Sequence, residues 1–134
     1  MKAAWFEKFG SAEQVMQVGE QPKPLAEPGQ VLVKLATSGV NPSDVKKRAG
    51  ASASLLDDGL VIPHSDGAGV IESVGRGVPE DRVGQRVWVY QAQYGRRLGT
   101  AAEYVVLDSN RAVHLPDNTD FSVGACLGIP VMTA

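Results

Sequence analysis

Glycine and proline recur along the whole chain without clustering, and their spacing limits the length of any regular element. The 134 residues include 15 glycines and 8 prolines. Because both residues interrupt helices and strands, the chain is predicted to form many short elements joined by tight turns. A hydrophobic content of 43% is enough for one domain with its own core, since a chain of this size buries roughly two-thirds of its unfolded surface.

Seven segments carry the apolar patterns of β-strands. Around Val33 both sides of the strand are apolar, which indicates burial on both faces, whereas Val87 and Val89 alternate with Trp88 and Tyr90. The predicted strands are residues 1–6, 15–18, 31–36, 70–74, 86–91, 101–107 and 111–114. Such a chain is predicted to be mainly β with short helices and to form a partly open β-barrel.

The first of two predicted helices covers residues 41–50. Asn41 suits the N-cap, Pro42 fits the first helical position, and Gly50 suits the left-handed position after the last turn. Asp44 lies near the positive end of this helix. Its last turn carries three cations: Lys46, Lys47 and Arg48. Polar groups concentrated at a strand-to-helix transition indicate either a functional site or a well-capped surface helix.

The second predicted helix covers residues 121–127, with Thr119 or Asp120 as its cap. Between the helices, residues 51–59 are small, polar and acidic at their end, and we predict a mobile loop there. The apolar residues 128–134 have no polar terminus. We therefore expect a longer protein to continue beyond this point.

Charge, cysteine content and hydropathy exclude several classes. Thirteen basic and 15 acidic residues give a net charge of −2, so nucleic acid is not an expected partner. One cysteine excludes an internal disulfide framework and a cysteine-rich zinc module. No run of 18 apolar residues predicts a membrane span, and the charged N-terminus does not look like a signal peptide. We expect a cytoplasmic protein in a reducing compartment.

A glycine motif at residues 67–72 has the spacing of a dinucleotide-binding loop only in part. Its sixth position is Glu72, and a strand-like segment follows where a helix N-terminus is required. We interpret Gly67 and Gly69 as positions where a strand bends or another backbone approaches closely.

A metal site is the next possibility, since His64 and Asp66 stand two residues apart and lie on one face if the segment is a strand. The other candidate ligands, His114 and Cys126, are far downstream. Zinc requires a further well-spaced ligand. A histidine hydrogen-bonded to its neighbours and a buried cysteine are therefore favoured, and we expect no metal ion.

Aromatic rings and amides alternate in residues 88–97. Such a segment either lines a pocket or covers the mouth of a barrel. Its members are Trp88, Tyr90, Gln91, Gln93, Tyr94, Arg96 and Arg97.

The order of these motifs resembles the medium-chain dehydrogenase/reductase superfamily. The segments that carry the resemblance are residues 34–44, 62–75, 83–87, 99–105 and 124–134. The resemblance implies that residues 1–134 form a GroES-like catalytic domain. It also implies that they end at the junction to a C-terminal dinucleotide-binding Rossmann domain absent from this chain.

Within the superfamily, the chain is most similar to the zinc-free quinone oxidoreductases, the zeta-crystallin-like branch. Asn41 stands where zinc alcohol dehydrogenases have a cysteine ligand, and Ser65 stands where they have a histidine. The zinc-free branch has Asn-Pro at this place. Lys46 departs from that branch, which commonly has a tyrosine there, while Arg48 fits it. The resemblance implies NADPH-dependent hydride transfer to quinones or related conjugated carbonyls without metal.

The resemblance also implies roles for single residues. Asn41 and Pro42 would border the nicotinamide, with Ser65 close by and Thr133 touching the cofactor. Lys46 or Arg48 would donate to the acceptor oxygen that gains negative charge. Asp44 would cap the helix and orient these cations, and Tyr90 and Tyr94 would stack on the acceptor ring. We expect the fragment alone to be inactive, and homodimers to form through the absent domain.

Two alternatives stay open. A 2-enoyl-thioester reductase of the same superfamily also carries Asn-Pro-Ser-Asp, although residues 51–59 lack the tyrosine that would support it. A binding module without catalysis is the other, because a fold does not fix a function.

Overall fold

The computed structural model describes all 134 residues. Five antiparallel strands form one sheet in the order β6-β3-β4-β5-β7, and a two-stranded sheet pairs β1 with β2. The strands are β1 (Lys2–Trp5), β2 (Gln17–Glu20), β3 (Gln30–Gly39), β4 (Asp66–Val74), β5 (Arg86–Val89), β6 (Tyr104–Asp108) and β7 (Ala112–His114). The helices are α1 (Ala12–Val15), α2 (Pro42–Arg48), α3 (Phe121–Gly124) and α4 (Ile129–Thr133), and 3-10 turns lie at Ala53–Leu56, Glu80–Arg82 and Ser109–Arg111.

The five-stranded sheet curls into a half-barrel, which confirms the predicted mainly-β, partly open architecture. Two register shifts in the β3–β4 ladder, after Leu32 and after Leu35, bend the strands, as bulges do. The concave side holds the main core, and ten buried residues share it: Val31, Val33, Ile71, Val78, Val87, Val89, Ala92, Val105, Leu107 and Ala112. No helix is both long and apolar enough to cross a membrane.

The glycines of residues 67–69 lie in β4, where β3 passes very close. A Cβ atom on Gly69 would lie 2.0 Å from the carbonyl oxygen of Lys34, and one on Gly67 would lie 2.9 Å from that of Thr37. The interpretation of these glycines as close-approach positions is therefore confirmed. They also hide the start of β4 from sequence analysis, because the residues before Val70 lack the side chains that indicate a strand.

The segment at residues 15–18 is only partly a strand. Val15 ends α1, and β2 begins at Gln17. The prediction was wrong at its start because the helical turn directs Val15 into a small core with Phe6 and Val61.

Other boundaries differ by a few residues. The strand predicted at 86–91 ends at Val89, and Gln91 adopts a left-handed φ of 51°. The helix predicted at 121–127 ends at Gly124, and α4 was not predicted. Residues 51–59 contain the 3-10 turn Ala53–Leu56, whose leucines pack against the core around Phe6.

Candidate functional site

The junction between β3 and α2 forms the centre of the site. Asn41 is the N-cap of α2 in an extended conformation, and its backbone N–H donates to Asp44 Oδ2 at 2.7 Å. Because Asp44 is 4% exposed and three residues into the helix, it satisfies a backbone donor that the helix leaves free. The start of α2 is therefore fixed by its own side chains.

Asp66 connects this junction to two other elements. Its side chain is fully buried at the start of β4. Oδ2 accepts the side-chain amide of Asn41 at 2.7 Å, and both carboxylate oxygens accept the backbone N–H of Ile129, at 3.1 and 3.2 Å. A Cβ atom on Gly128 would lie 2.2 Å from Asp66 Oδ1, so only glycine allows α4 to approach so closely. One carboxylate therefore joins β4, α2 and α4.

These contacts bring together three of the residues predicted to meet the cofactor. Asn41, Pro42 and Thr133 border an open cavity of about 440 Å³, and Ile129 and Pro130 complete its wall. The side-chain nitrogen of Asn41 is held by Asp66, so its carbonyl oxygen remains as an acceptor. Ser65 is not in this wall; it is buried, and its backbone oxygen accepts from Ala92 at 3.0 Å.

A chain of hydrogen bonds fixes the tautomer of His64. Thr100 Oγ1 donates to the carbonyl oxygen of Asp66 at 2.6 Å, so it must accept from Ser38 Oγ, 2.9 Å away. Ser38 then has no hydrogen left for His64 Nδ1 at 2.8 Å, and the histidine donates through Nδ1–H. The lone pair of neutral His64 therefore lies on Nε2.

His64 is also strained and partly desolvated. Its φ of 79° lies in the left-handed region, which is uncommon for a residue other than glycine. Burial lowers the pKa of His64 below its ordinary value of 6.5, although the negative charges of Asp44 and Asp66 oppose this shift. The imidazole is therefore held mainly neutral at pH 7.

A small cavity of about 80 Å³ lies beneath α2. Asp44, Arg48 and His64 provide its polar wall. Asp44 Oδ1 is buried there without a hydrogen-bond partner. The volume is sufficient for ordered water, which buried polar atoms of this kind commonly bind. Arg48 itself is held by a 3.3 Å bond from Nε to the carbonyl oxygen of Gly10.

The remaining predicted residues lie apart from the Asn41 cavity. Lys46 is exposed on α2. The hydroxyl of Tyr90 donates to the carbonyl oxygen of Asn110 at 3.3 Å, and its ring packs against Trp88 with centroids 5.7 Å apart. Tyr94 is 68% exposed and borders a second cavity of about 320 Å³ near the C-terminal end of α2.

The second cavity decides whether the aromatic and amide residues of 88–97 line a pocket or only cover the mouth of the barrel. Of the rings, amides and arginines in residues 88–97, four line it: Gln93, Tyr94, Arg96 and Arg97. The segment therefore lines a pocket over its second half. Lys47 joins this wall from α2, a role that the sequence alone did not indicate because the wall comes from a distant segment.

The possible metal ligands do not converge. Cys126 is exposed, which corrects the expectation that it is buried. Its thiol, in the turn after α3, donates to the carbonyl oxygen of Ser122 at 3.4 Å. His64 and Asp66 are joined through Ser38 and Thr100, and no group of three His, Cys, Asp or Glu side chains is arranged to hold a metal ion.

Comparison with known proteins places this arrangement in a family. Residues 27–117 match the model of the alcohol dehydrogenase GroES-like domain. Quinone oxidoreductase of Rattus norvegicus is 36% identical over 134 residues, which cover 100% of this chain and 39% of that protein. A trans-enoyl reductase of Gibberella fujikuroi is 34% identical over 117 residues, covering 86% of this chain and 32% of that protein.

A solved mycobacterial structure, complexed with NADPH, is similar to 93% of this chain with a TM-score of 0.79 and 27% identity, and the match covers 37% of that structure's chain. The chain thus spans about two-fifths of the length of the rat relative. The matches to the GroES-like model and to the rat protein confirm both the predicted fold type and the superfamily. This chain belongs to the alcohol dehydrogenase GroES-like domain family, within the quinone oxidoreductase type of the medium-chain dehydrogenase/reductase superfamily.

Proposed function

We propose that these residues form the catalytic domain of an NADPH-dependent oxidoreductase that transfers hydride to quinones or related conjugated carbonyls. The observation that carries the proposal is the cavity where Asn41, Pro42 and Thr133 meet. Two elements that are distant in sequence, the start of α2 and α4, form it, and the buried Asp66 carboxylate of β4 holds them together. The similarity to the rat quinone oxidoreductase over the whole chain supports the reaction class.

The residues of the cavity suit a nicotinamide ring. Its wall includes the apolar faces of Pro42, Ile129 and Pro130. The side-chain carbonyl oxygen of Asn41 accepts from the Asp44 backbone in the capping box and has a second lone pair, and Thr133 offers a hydroxyl that both donates and accepts. When bound, NADPH supplies the hydride, while the protein contributes orientation and exclusion of water. The mycobacterial structure solved with NADPH supports this choice of cofactor.

The parts of NADPH remote from the ring would be held outside these residues. The N-terminus of a helix is the usual cradle for a pyrophosphate, and the glycine motif that resembles such a cradle lies inside strand β4. We therefore propose a dinucleotide-binding domain after residue 134. As the resemblance implies, that domain would also form a homodimer interface of a cytoplasmic enzyme.

Hydride arrival leaves negative charge on the acceptor oxygen, which a nearby donor stabilises. Arg48 is suited to this role because only its Nε is bonded, to Gly10, and its terminal nitrogens remain free. Lys46 contributes from an exposed position, so its effect would be longer in range. Ser65 would act by holding in place the short segment that carries His64 and Asp66. Tyr94 would flank the acceptor ring.

We propose that no metal ion takes part. Asn41 directs its amide nitrogen to Asp66, and neither it nor the buried Ser65 is a competent zinc ligand. A quinone is electrophilic enough to accept hydride without a Lewis acid.

A kinetic panel tests the proposal. The full-length protein that contains these residues is given several quinones, enones and a 2-enoyl thioester, with NADPH and NADH in turn. Quinone reduction with NADPH is the expected result, and titration of residues 1–134 alone with NADPH should show no micromolar binding. Absence of turnover with every quinone and enone contradicts the proposal.

The same panel separates the second candidate. Similarity to the trans-enoyl reductase of Gibberella fujikuroi favours a 2-enoyl-thioester reductase, although residues 51–59 contain no tyrosine. Reduction of the thioester in preference to every quinone would establish that activity.

A further inference from the structure

We infer that the polar cavity at the C-terminal end of α2 binds the carboxylate or phosphate group of the electron acceptor. That the bound molecule is an electron acceptor rests on the proposed function. The basic pocket is defined as this cavity of about 320 Å³ between α2, residues 52–58 and residues 93–97. Its principal groups are Lys47, Gln93, Arg96 and Arg97, with the hydroxyls of Ser52 and Ser54 at the rim.

The three cations of the basic pocket have no acidic partner. Lys47 Nζ donates to Gln93 Oε1 at 3.3 Å, and Arg97 Nη1 donates to a carbonyl oxygen at 2.9 Å. Arg96 Nη2 likewise bonds to a backbone oxygen. The two ion pairs of the structure involve the N-terminus and Lys23 instead. Only Asp58 brings negative charge to the wall, so the pocket is positively charged.

Burial adds a reason for Arg96 to favour an anion. Desolvation lowers the pKa of Arg96 below its ordinary value, Asp108 opposes this shift, and Arg111 adds to it. A lowered pKa means that the charged guanidinium is less stable here than in water. An anion bound in the pocket would stabilise the charged guanidinium and offset the cost of its desolvation.

Gln93 provides an unused donor in the same cavity. The residue is 2% exposed, and Nε2 has almost no accessible surface and no hydrogen-bond partner. The orientation of the amide is fixed, since Lys47 can only donate and therefore faces Oε1. A buried donor left unpaired is costly. A rotation of the Gln93 amide toward the cavity would let an oxygen of a bound anion pair with Nε2 and with the nearby cations, in a charge-assisted arrangement.

The location of the basic pocket restricts the shape of the acceptor. Lys47 lies six residues after Asn41, which corresponds to about 9 Å along the axis of α2. A planar acceptor that lies beside a nicotinamide ring bound in the Asn41 cavity would need an anionic substituent at about that reach. Tyr94, on the same wall, is placed to flank the connecting part.

The binding site is tested first without turnover. Residues 1–134 are titrated with benzoate, inorganic phosphate and neutral benzyl alcohol, while NMR follows the side-chain amide of Gln93. We expect saturable shifts of this amide with benzoate or phosphate and none with benzyl alcohol. The stronger of the two anions identifies a carboxylate or a phosphate as the preferred group, and added NaCl should weaken binding.

Matched variants locate the effect. Lys47→Gln and Arg97→Gln should each weaken anion binding at least tenfold, and Gln93→Glu should abolish it by placing a negative charge in the pocket. The controls Lys8→Gln and Arg76→Gln remove the same charges from exposed positions elsewhere and should leave binding unchanged. Amide dispersion in the NMR spectrum shows which variants are folded. Equal losses in pocket and control variants, or no shift of Gln93 with either anion, overturn the inference.

A kinetic pair in the full-length protein then separates this inference from the proposed function. A naphthoquinone with a propionate side chain is compared with its propionamide. At least a tenfold advantage in kcat/KM for the propionate, lost in Lys47→Gln, is expected. Anion binding without reduction of either quinone would refute the function but keep the site. Equal reduction of both compounds, with no shift of Gln93, would keep the function and refute the site.

Discussion

The two ends of α2 differ in what their buried side chains bond to, although each end keeps unpaired polar atoms, at the N-terminal end Ser43 Oγ and Asp44 Oδ1. At the N-terminal end, the Asp66 carboxylate accepts from the side-chain amide of Asn41 and from the backbone N–H of Ile129 in α4. At the C-terminal end, Gln93 keeps a buried amide nitrogen without a partner, beside cations that have no acidic partner. Groups that satisfy one another fix the relative positions of elements. Groups that remain unsatisfied keep the capacity to bind something else.

The largest expected effect is at the N-terminal end, where Asp66 holds Asn41 and Ile129. Asp66→Ala leaves the side-chain amide of Asn41 and the N–H of Ile129 without an acceptor, and we expect the free energy of unfolding to fall by about 2–4 kcal/mol. Urea denaturation of residues 1–134 measures it. Lys47→Gln is the control from the other end and should stay within about 0.5 kcal/mol of the parent. Similar values for both would show that the two ends do not differ.

Asn41→Ala sharpens the comparison by separating structure from catalysis. Loss of the cap should lower the unfolding free energy by about 1 kcal/mol. If Asn41 also contacts the transition state, kcat and kcat/KM of the full-length enzyme should fall together. Both quantities are measured with one quinone and NADPH. A lower melting temperature with unchanged kinetics would show that Asn41 acts only in folding.

A smaller effect is expected from Lys46, which is exposed in the last turn of α2. Lys46→Gln removes a charge that is favourable at the negative end of a helix, so the unfolding free energy should fall by about 0.3–1 kcal/mol at low salt. The difference should disappear in 1 M NaCl, where charges are screened within a few ångströms. A loss that persists at high salt would contradict this assignment.

The smallest expected effect is a dependence of folding stability on pH, which disappears at neutral pH. The folded-state pKa of His64 lies below its ordinary 6.5, so the unfolded chain binds the proton first as the pH falls. Stability should therefore decrease as the pH falls through 6.5, until the lower folded-state pKa is passed. Asp44 and Asp66 face the ring and limit this loss.

Urea midpoints measured across this range test the effect. His64→Asn, which tolerates a left-handed backbone, should flatten this part of the curve. His114→Asn, at an exposed position, should leave it unchanged.

The sequence predicted the architecture well because its strands follow local rules. Alternating valines located β3 and β5, and Asn41 with Pro42 located the start of α2 within a residue. Elements that depend on tertiary contacts were missed. The turn ending at Val15 forms because a small core receives that side chain, and α4 depends on an N–H bond to Asp66, 63 residues earlier in the chain.

The site was less predictable for the same reason. His64 and Asp66 drew attention as a possible metal pair, whereas the His64 ring bonds to Ser38, and the Asp66 carboxylate bonds to Asn41 and Ile129 from other segments. Lys46 and Lys47 are adjacent in sequence, and only the packing of residues 93–97 against α2 decides that Lys47 faces a cavity. A helical period places the two lysines about 100° apart, but it does not say what lies on each side.

The contact between Gly128 and Asp66 has a mechanical consequence. One carboxylate holds both Asn41 and Ile129, so the two sides of the Asn41 cavity are tied to each other. Any swing of a following domain that widened this cavity would first have to break those hydrogen bonds. The axis of such a swing is therefore expected beyond Ile129, so that α2 and the start of α4 would stay together as the cavity opens.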